Sequence, residues 1–122
     1  MLVSLRYERT LRAANNCVIS LLNLERFEEA RSLLRKVMPV ARRVHGEGHT
    51  VTLKMRWNYG AALYADPTAT LDDLREAVTT LEDTKRIARR VLGGAHPDTT
   101  GVENNLRYAR AALRARETPS AS

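Results

Sequence analysis

Apolar residues along this chain recur at steps of three and four, the spacing of one face of an α-helix. Leu11, Ala14, Val18, Leu21 and Leu22 mark a first helix over about Ser4–Leu24. Ala30, Leu33, Leu34, Val37, Met38 and Ala41 mark a second over about Phe27–Val44, with Pro39 inside it. An interior proline removes one hydrogen bond and crowds the preceding turn, so a bend is expected there. A third helix spans about Thr50–Ala65, starts at His49 or Thr50, and is ended by Asp66-Pro67. A fourth spans about Leu71–Leu92, where Thr70 offers a capping hydroxyl and Asp72 and Asp73 suit the positive helix end. A fifth spans about Asp98–Arg116 behind Pro97. No stretch alternates with the two-residue period of a strand. Gly46-Glu47-Gly48 and Gly93-Gly94 stop the second and fourth helices with residues that tolerate left-handed backbone. Residues 1–117 therefore read as one helical domain, and Thr118–Ser122 as a disordered tail.

The pattern repeats. Gly46-Glu47-Gly48-His49-Thr50 recurs as Gly93-Gly94-Ala95-His96-Pro97, an offset of 47 residues. Phe27-Glu28-Glu29-Ala30 matches Leu74-Arg75-Glu76-Ala77, and Asn58 matches Asn105, at the same offset. Asn16 and Asn58 are only 42 apart. The extra five residues fall between Tyr64 and Asp73, so the underlying unit has 42 residues and one lengthened connection. A period of this size means stacked helical hairpins. One amphipathic hairpin cannot hide its own apolar face, and the next hairpin covers it. Ala30, Ala77 and Gly60 are small enough to let helices approach closely. In the last helix, Val102, Leu106, Ala109 and Leu113 can face the preceding hairpin, while Arg107, Arg110 and Arg114 face water.

Composition narrows the function. The 122 residues are 43% hydrophobic but only 5% aromatic, so aliphatic side chains and alanine build the core. The net charge is +6, and seventeen of the twenty basic residues are Arg, scattered along every segment rather than massed. This favours a solvated Arg-rich surface over a nucleic-acid groove, although a basic helical-repeat nucleic-acid binder stays open. The single cysteine, Cys17, cannot form an internal disulfide, and its neighbours Val18 and Ile19 suggest a small core residue rather than a nucleophile. No secretory signal and no apolar run of membrane-spanning length occur, which points to a soluble protein of the reducing cytoplasm. His45 and His49 are four apart but separated by glycine, with no third ligand pattern, so no metal is expected. His49 and His96 recur at one place in each repeat and read as structural, bonding across the inter-repeat turn. No phosphate loop, nucleophile elbow or paired catalytic carboxylates appear, and neither an enzyme nor a cofactor is expected.

The glycine–histidine breaks, the pairs Asn15-Asn16 and Asn104-Asn105, and Phe27-Glu28-Glu29-Ala30 together resemble the tetratricopeptide repeat class. The resemblance is specifically to its 42-residue form, found in kinesin light chains and nephrocystin-like proteins. It covers about Leu11 to Ala112. Trp57-Asn58-Tyr59-Gly60 keeps only one asparagine of the pair, and Arg107 stands where the family prefers a small residue. The resemblance implies an all-α, right-handed α-solenoid of stacked antiparallel hairpins, about two and a half repeats in five helices.

It also implies a concave groove lined by the first helix of each hairpin, binding a peptide or helix of a partner protein. Carried over residue by residue, the groove positions are Arg12, Asn15, Asn16, Ile19 and Asn23; then Lys54, Trp57, Asn58, Ala61 and Tyr64; then Asn104, Asn105, Tyr108 and Ala112. The side-chain chemistry fits such a groove, because carboxamides serve both N–H and C=O of an extended peptide, and Arg and Lys bind acidic groups. Trp57 and Tyr108 are rigid anchors. Structural alternatives stand beside each: the asparagines brace the repeats, Trp57 fills the core, and Arg12 and Lys54 are solvated charges. A carboxylate clamp would want a base four residues before each Asn; Arg12/Asn16 and Lys54/Asn58 match, but Gly101 precedes Asn105. The partner is expected to be a protein or peptide, with an acidic one among the candidates, and with no small-molecule substrate and no membrane. A structural spacer or self-associating homo-oligomer is the other reading.

Overall fold

The structure, a computed structural model, describes residues 2–118, with side chains from Tyr7 onward. It contains α1 (Leu2–Asn23), α2 (Phe27–His45), α3 (Thr50–Tyr64), α4 (Leu71–Leu92) and α5 (Pro97–Glu117). The sequence pattern places all five to within about two residues at either end. α2 continues through Pro39 as one helix. The expected tail lies outside the described residues, apart from Thr118, whose N–H still bonds Arg114 O and closes α5. Among the described residues no helix is long and apolar enough to cross a membrane.

Consecutive helices pack as hairpins, and α3 also touches both α1 and α5. α2 and α4 do not meet. The chain therefore forms two rows: α1, α3 and α5 in one, α2 and α4 in the other, with α3 central. Leu11, Val18, Leu34, Met55, Leu63, Leu81, Val102 and Leu106 make a continuous core through all five helices. Ala30 and Ala77 are fully buried, as the small-residue argument requires. Gly60 has the same cause: a β-carbon there would come 2.6 Å from Leu81 Cγ, so only glycine lets α3 lie this close to α4.

Each local boundary has its own chemistry. Thr70 Oγ1 accepts from Asp73 N at 3.1 Å while Asp73 Oδ2 accepts from Thr70 N at 3.0 Å, a closed capping box. Gly46 and Gly93 end α2 and α4 with φ of +88° and +93°, backbone that a side chain resists. His49 Nδ1 accepts from Val51 N at 3.1 Å, and His96 Nδ1 from Asp98 N at 3.0 Å. The histidines are thus structural, but each caps the helix it precedes instead of bridging the turn.

The lengthened connection between α3 and α4 is pinned from both sides. Arg31, buried in α2, donates to Ala62 O at 3.1 Å, Asp66 Oδ2 at 3.0 Å and Glu28 Oε2 at 2.6 Å. Asp66 Oδ1 also accepts from Thr68 N at 2.9 Å, and these bonds hold its carboxyl below the usual range. Ala69 is buried, and its carbonyl takes Arg116 Nη1 of α5 at 2.7 Å.

Cys17 corrects an expectation: it is exposed. Three consecutive apolar residues cannot share one helix face, because each step turns about 100°. Val18 takes the core, fully buried, and leaves Cys17 and Ile19 outside.

Candidate functional site

The row of α1, α3 and α5 holds every residue expected to line a groove, and they separate into three groups. Asn15, Ile19, Lys54, Trp57 and Asn58 line one cleft of about 280 Å³ between α1 and α3, joined by Asp98 from the start of α5. Asn58 Nδ2 donates to Asn15 Oδ1 at 2.9 Å across this cleft, and Asn15 is buried. Ile19 is 41% exposed and Trp57 half-buried, so apolar area is open at its wall. Lys54 and Asp98 place one charge of each sign in it.

The second group braces rather than opens. Tyr64 donates to Asn105 Oδ1 at 2.5 Å, and Asn105 Nδ2 donates to Gly101 O at 3.0 Å. Burial, then the neighbouring Tyr108, pushes the Tyr64 hydroxyl above its ordinary value. Asn58 and Asn105, equivalent in the repeat, thus do one job: each reaches back from its own helix to the preceding helix of the row.

The third group is exposed. Arg12 pairs with Glu8 at 3.0 Å, which together with the nearby His49 and His45 holds the Glu8 carboxyl low despite partial desolvation. Asn16 and Asn23 are exposed on α1. Asn104 accepts from Arg107, and Tyr108 is 63% exposed. Ala61 and Ala112 are half-buried. In the first pair, the buried partner of Asn58 is Asn15, not the Asn16 that aligns with it by the 42-residue spacing.

Trp57 is both lining and structure. A β-carbon on Gly101 would overlap its ring, so the indole edge lies against the α5 backbone. This explains why glycine stands where a clamp would want a base. Asp98 escapes a sequence reading as a cleft residue; it lies two residues past a capping histidine, where an acid reads as helix-dipole chemistry. Buried Arg31 and Arg56 escape it too, because arginine is ordinarily read as a solvated surface charge.

A second cleft of about 380 Å³ lies between α2 and α4, floored by Arg56 and Tyr59 of α3. Its groups are engaged with each other. Tyr59 donates to Glu76 Oε2 at 2.8 Å, Arg56 pairs with Glu47, and Arg56 Nη2 lies 3.9 Å from Asp83. Burial and the Glu76 bond push the Tyr59 hydroxyl up against an opposing contact from Arg35. Among the described residues no group of three His, Cys, Asp or Glu side chains could hold a metal ion.

A family model described as tetratricopeptide repeat matches residues 10–50 and 69–98. These are α1 with α2 and the first break, then α4 with the second; the unmatched stretch between them holds most of α3 and the lengthened connection. No curated protein and no solved structure matches the chain. The two matched stretches make up more than half of the sequence, and their helix order and breaks are those of stacked hairpins. The chain belongs to the tetratricopeptide repeat family, whose helical repeats generally mediate protein–protein interaction without catalysis.

Proposed function

We propose that the cleft between α1 and α3 holds an extended or helical segment of a partner protein. The observation that carries this is the cleft's composition: an exposed Ile19 and a half-buried Trp57 line it together with the Asn15–Asn58 amide pair. An apolar side chain of the ligand seats between Ile19 and Trp57. Unused N–H and C=O capacity of the two amides meets its backbone. Lys54 favours an acidic residue beside that anchor, and Asp98 keeps the site from being a general anion trap. The exposed Arg12, Asn16, Asn23, Asn104 and Tyr108 extend the contact along the row, while Tyr64 and Asn105 keep α3 and α5 in register. The 42-residue spacing and the glycine–histidine breaks support the kinesin-light-chain or nephrocystin-like form of the repeat, acting as a scaffold in the cytoplasm.

Peptide display against the whole chain, followed by affinity measurement on Ile19→Asp and Lys54→Glu, tests this reading. Ile19 lies outside the core, so Ile19→Asp leaves the melting temperature within a few degrees of the parent. It should weaken selected ligands by at least tenfold, the effect of losing a buried aliphatic anchor worth about 1.5 kcal/mol or more. Unchanged affinity for every selected ligand would reject the cleft as the site.

A further inference from the structure

The first inter-repeat junction contains a pair of groups that the second lacks. The rings of His45 and His49 stack with centroids 4.1 Å apart and planes 18° from parallel. At the second junction the same places hold Leu92 and His96. While His49 Nδ1 accepts the Val51 N–H, that nitrogen carries no proton. Its Nε2 lies 3.9 Å from Glu8 Oε1, the same oxygen that takes Arg12 Nη2 at 3.0 Å. His45 Nε2 is buried without a partner among the described residues. The charged or titratable groups meeting here are therefore Glu8 and Arg12 of α1, His45 of α2, and His49 itself. Glu47 of the connecting loop is engaged elsewhere, with Arg42 and Arg56.

We propose that His49 is a proton-sensitive fastener of the first junction, releasing the first turn of α3 when the surroundings acidify. A proton on Nδ1 turns the cap acceptor into a donor facing another donor, so the bond to Val51 N–H is lost. The new imidazolium also faces the His45 ring and the Arg12 guanidinium. It draws Glu8, the partner of Arg12, toward itself. Burial first, then His45 and Arg12, hold the His49 imidazole below its ordinary value, with Glu8 opposing.

The sign follows from this depression. The unfolded chain takes up the proton at about pH 6.5, and the folded junction only at lower pH. The stabilisation is complete above about pH 6.5 and is lost as pH falls through the lower folded value.

Amide hydrogen exchange of the full chain without ligand, followed by NMR from pH 7.5 to 5, tests the fastener alone. Protection at Val51 and Leu53, corrected for intrinsic exchange, should fall by up to about tenfold per pH unit between about pH 6.5 and the lower folded value, and level off below it. His49→Asn keeps a capping acceptor that does not titrate, and its Val51 protection should stay level. His45→Leu copies the second junction and should move the loss of protection to lower proton concentration, because one repelling ring is gone. In the parent chain, ¹⁵N shifts at neutral pH should show His49 with its proton on Nε2. An unprotonated Nε2 or an imidazolium at pH 7.5 would overturn the proposal, and so would a His49→Asn chain that loses protection as the parent does. Neither result depends on a ligand, so a failed Ile19→Asp experiment and a failed fastener are separate outcomes.

Discussion

The two inter-repeat junctions share a ten-residue frame, Ala41–Thr50 and Ala88–Pro97, yet hold their helices by different chemistry. Both carry an arginine pair in the last helical turn, a glycine at positive φ and a histidine cap. At the first, Glu47 of the loop sits between two cations: Arg42 Nε lies 3.2 Å from it, and buried Arg56 pairs with its other oxygen. At the second, the loop position is Gly94 and the helix position is Glu103, which takes Arg89 directly at 3.3 Å. A β-carbon on Gly94 would already come within 3.3 Å of Arg89 Nη2. The backbone frame thus fixes where a charge must be answered, and leaves open which element answers it. Sign can be exchanged between loop and helix as long as every buried guanidinium keeps a carboxylate.

The most severe way to break this comparison is to change one member of the first set alone. Arg56→Glu brings a third carboxylate beside Glu47 and Asp83 in a largely buried place, and should cost about 3 kcal/mol. Adding Glu47→Gly rebuilds the second junction's arrangement, with Arg42 now answering the helix carboxylate. The double variant should recover about half of the loss, seen as a non-additive urea midpoint. Additive costs would mean that the two junctions are not interchangeable solutions.

A milder break compares two close approaches. Gly60 and Gly101 both sit in the row of α1, α3 and α5, and both have a neighbour where a β-carbon would go. Leu81, against Gly60, is fully buried and has nowhere to move. Gly60→Ala should therefore lose more to overpacking than the roughly 1 kcal/mol it gains in helix propensity, a net cost of about 1–2 kcal/mol in thermal unfolding. The Trp57 ring against Gly101 is half-buried and borders the cleft. Gly101→Ala should push the ring outward, leave the melting temperature nearly unchanged, and red-shift the emission of the single tryptophan. A large loss of stability at Gly101 with no spectral shift would place Trp57 in the core alone.

The two glycines also show how far sequence could be read. The five helices and their order were legible because aliphatic spacing and glycine breaks are local signals. The role of Gly60 was legible because the repeat pattern asks for a small residue there. Gly101 was not: read alone it is a missing base, and only the position of Trp57 across the row gives it a reason. The same limit covers the cleft. Lys54, Trp57 and Asn58 follow from helical register, but Asp98 enters from the next hairpin. That Asn15 and not Asn16 is the buried partner follows from helical register, because Asn15 lies four residues after Leu11 and three before Val18 while Asn16 falls on the far side; alignment by the 42-residue spacing alone points to Asn16. Cys17 shows the converse error, where an apolar neighbourhood in sequence is not one in space.

The smallest effect comes from the hairpin turns. The α3–α4 connection is held by side chains from α2 and α5, whereas the α1–α2 turn is closed by its own backbone bonds, beside an exposed Arg26–Glu29 pair. Arg26 N bonds Leu21 O at 2.8 Å and Glu25 N bonds Leu22 O at 3.0 Å, the two bonds of a Schellman closure. Its left-handed position is Glu25, with φ of 59°, the one non-glycine residue of positive φ among those described. An L side chain there works against its own carbonyl by about 1–2 kcal/mol, part of which glycine returns as lost chain entropy. Glu25→Gly should therefore stabilise the chain by about 0.5–1 kcal/mol, a rise of several degrees in melting temperature for a domain of this size. The gain should appear unchanged on top of Arg56→Glu, because the turn and the junction lie at opposite ends of α2 and share no partner. A Glu25→Gly chain no more stable than its parent would mean that the side chain makes up its backbone cost through contacts of its own.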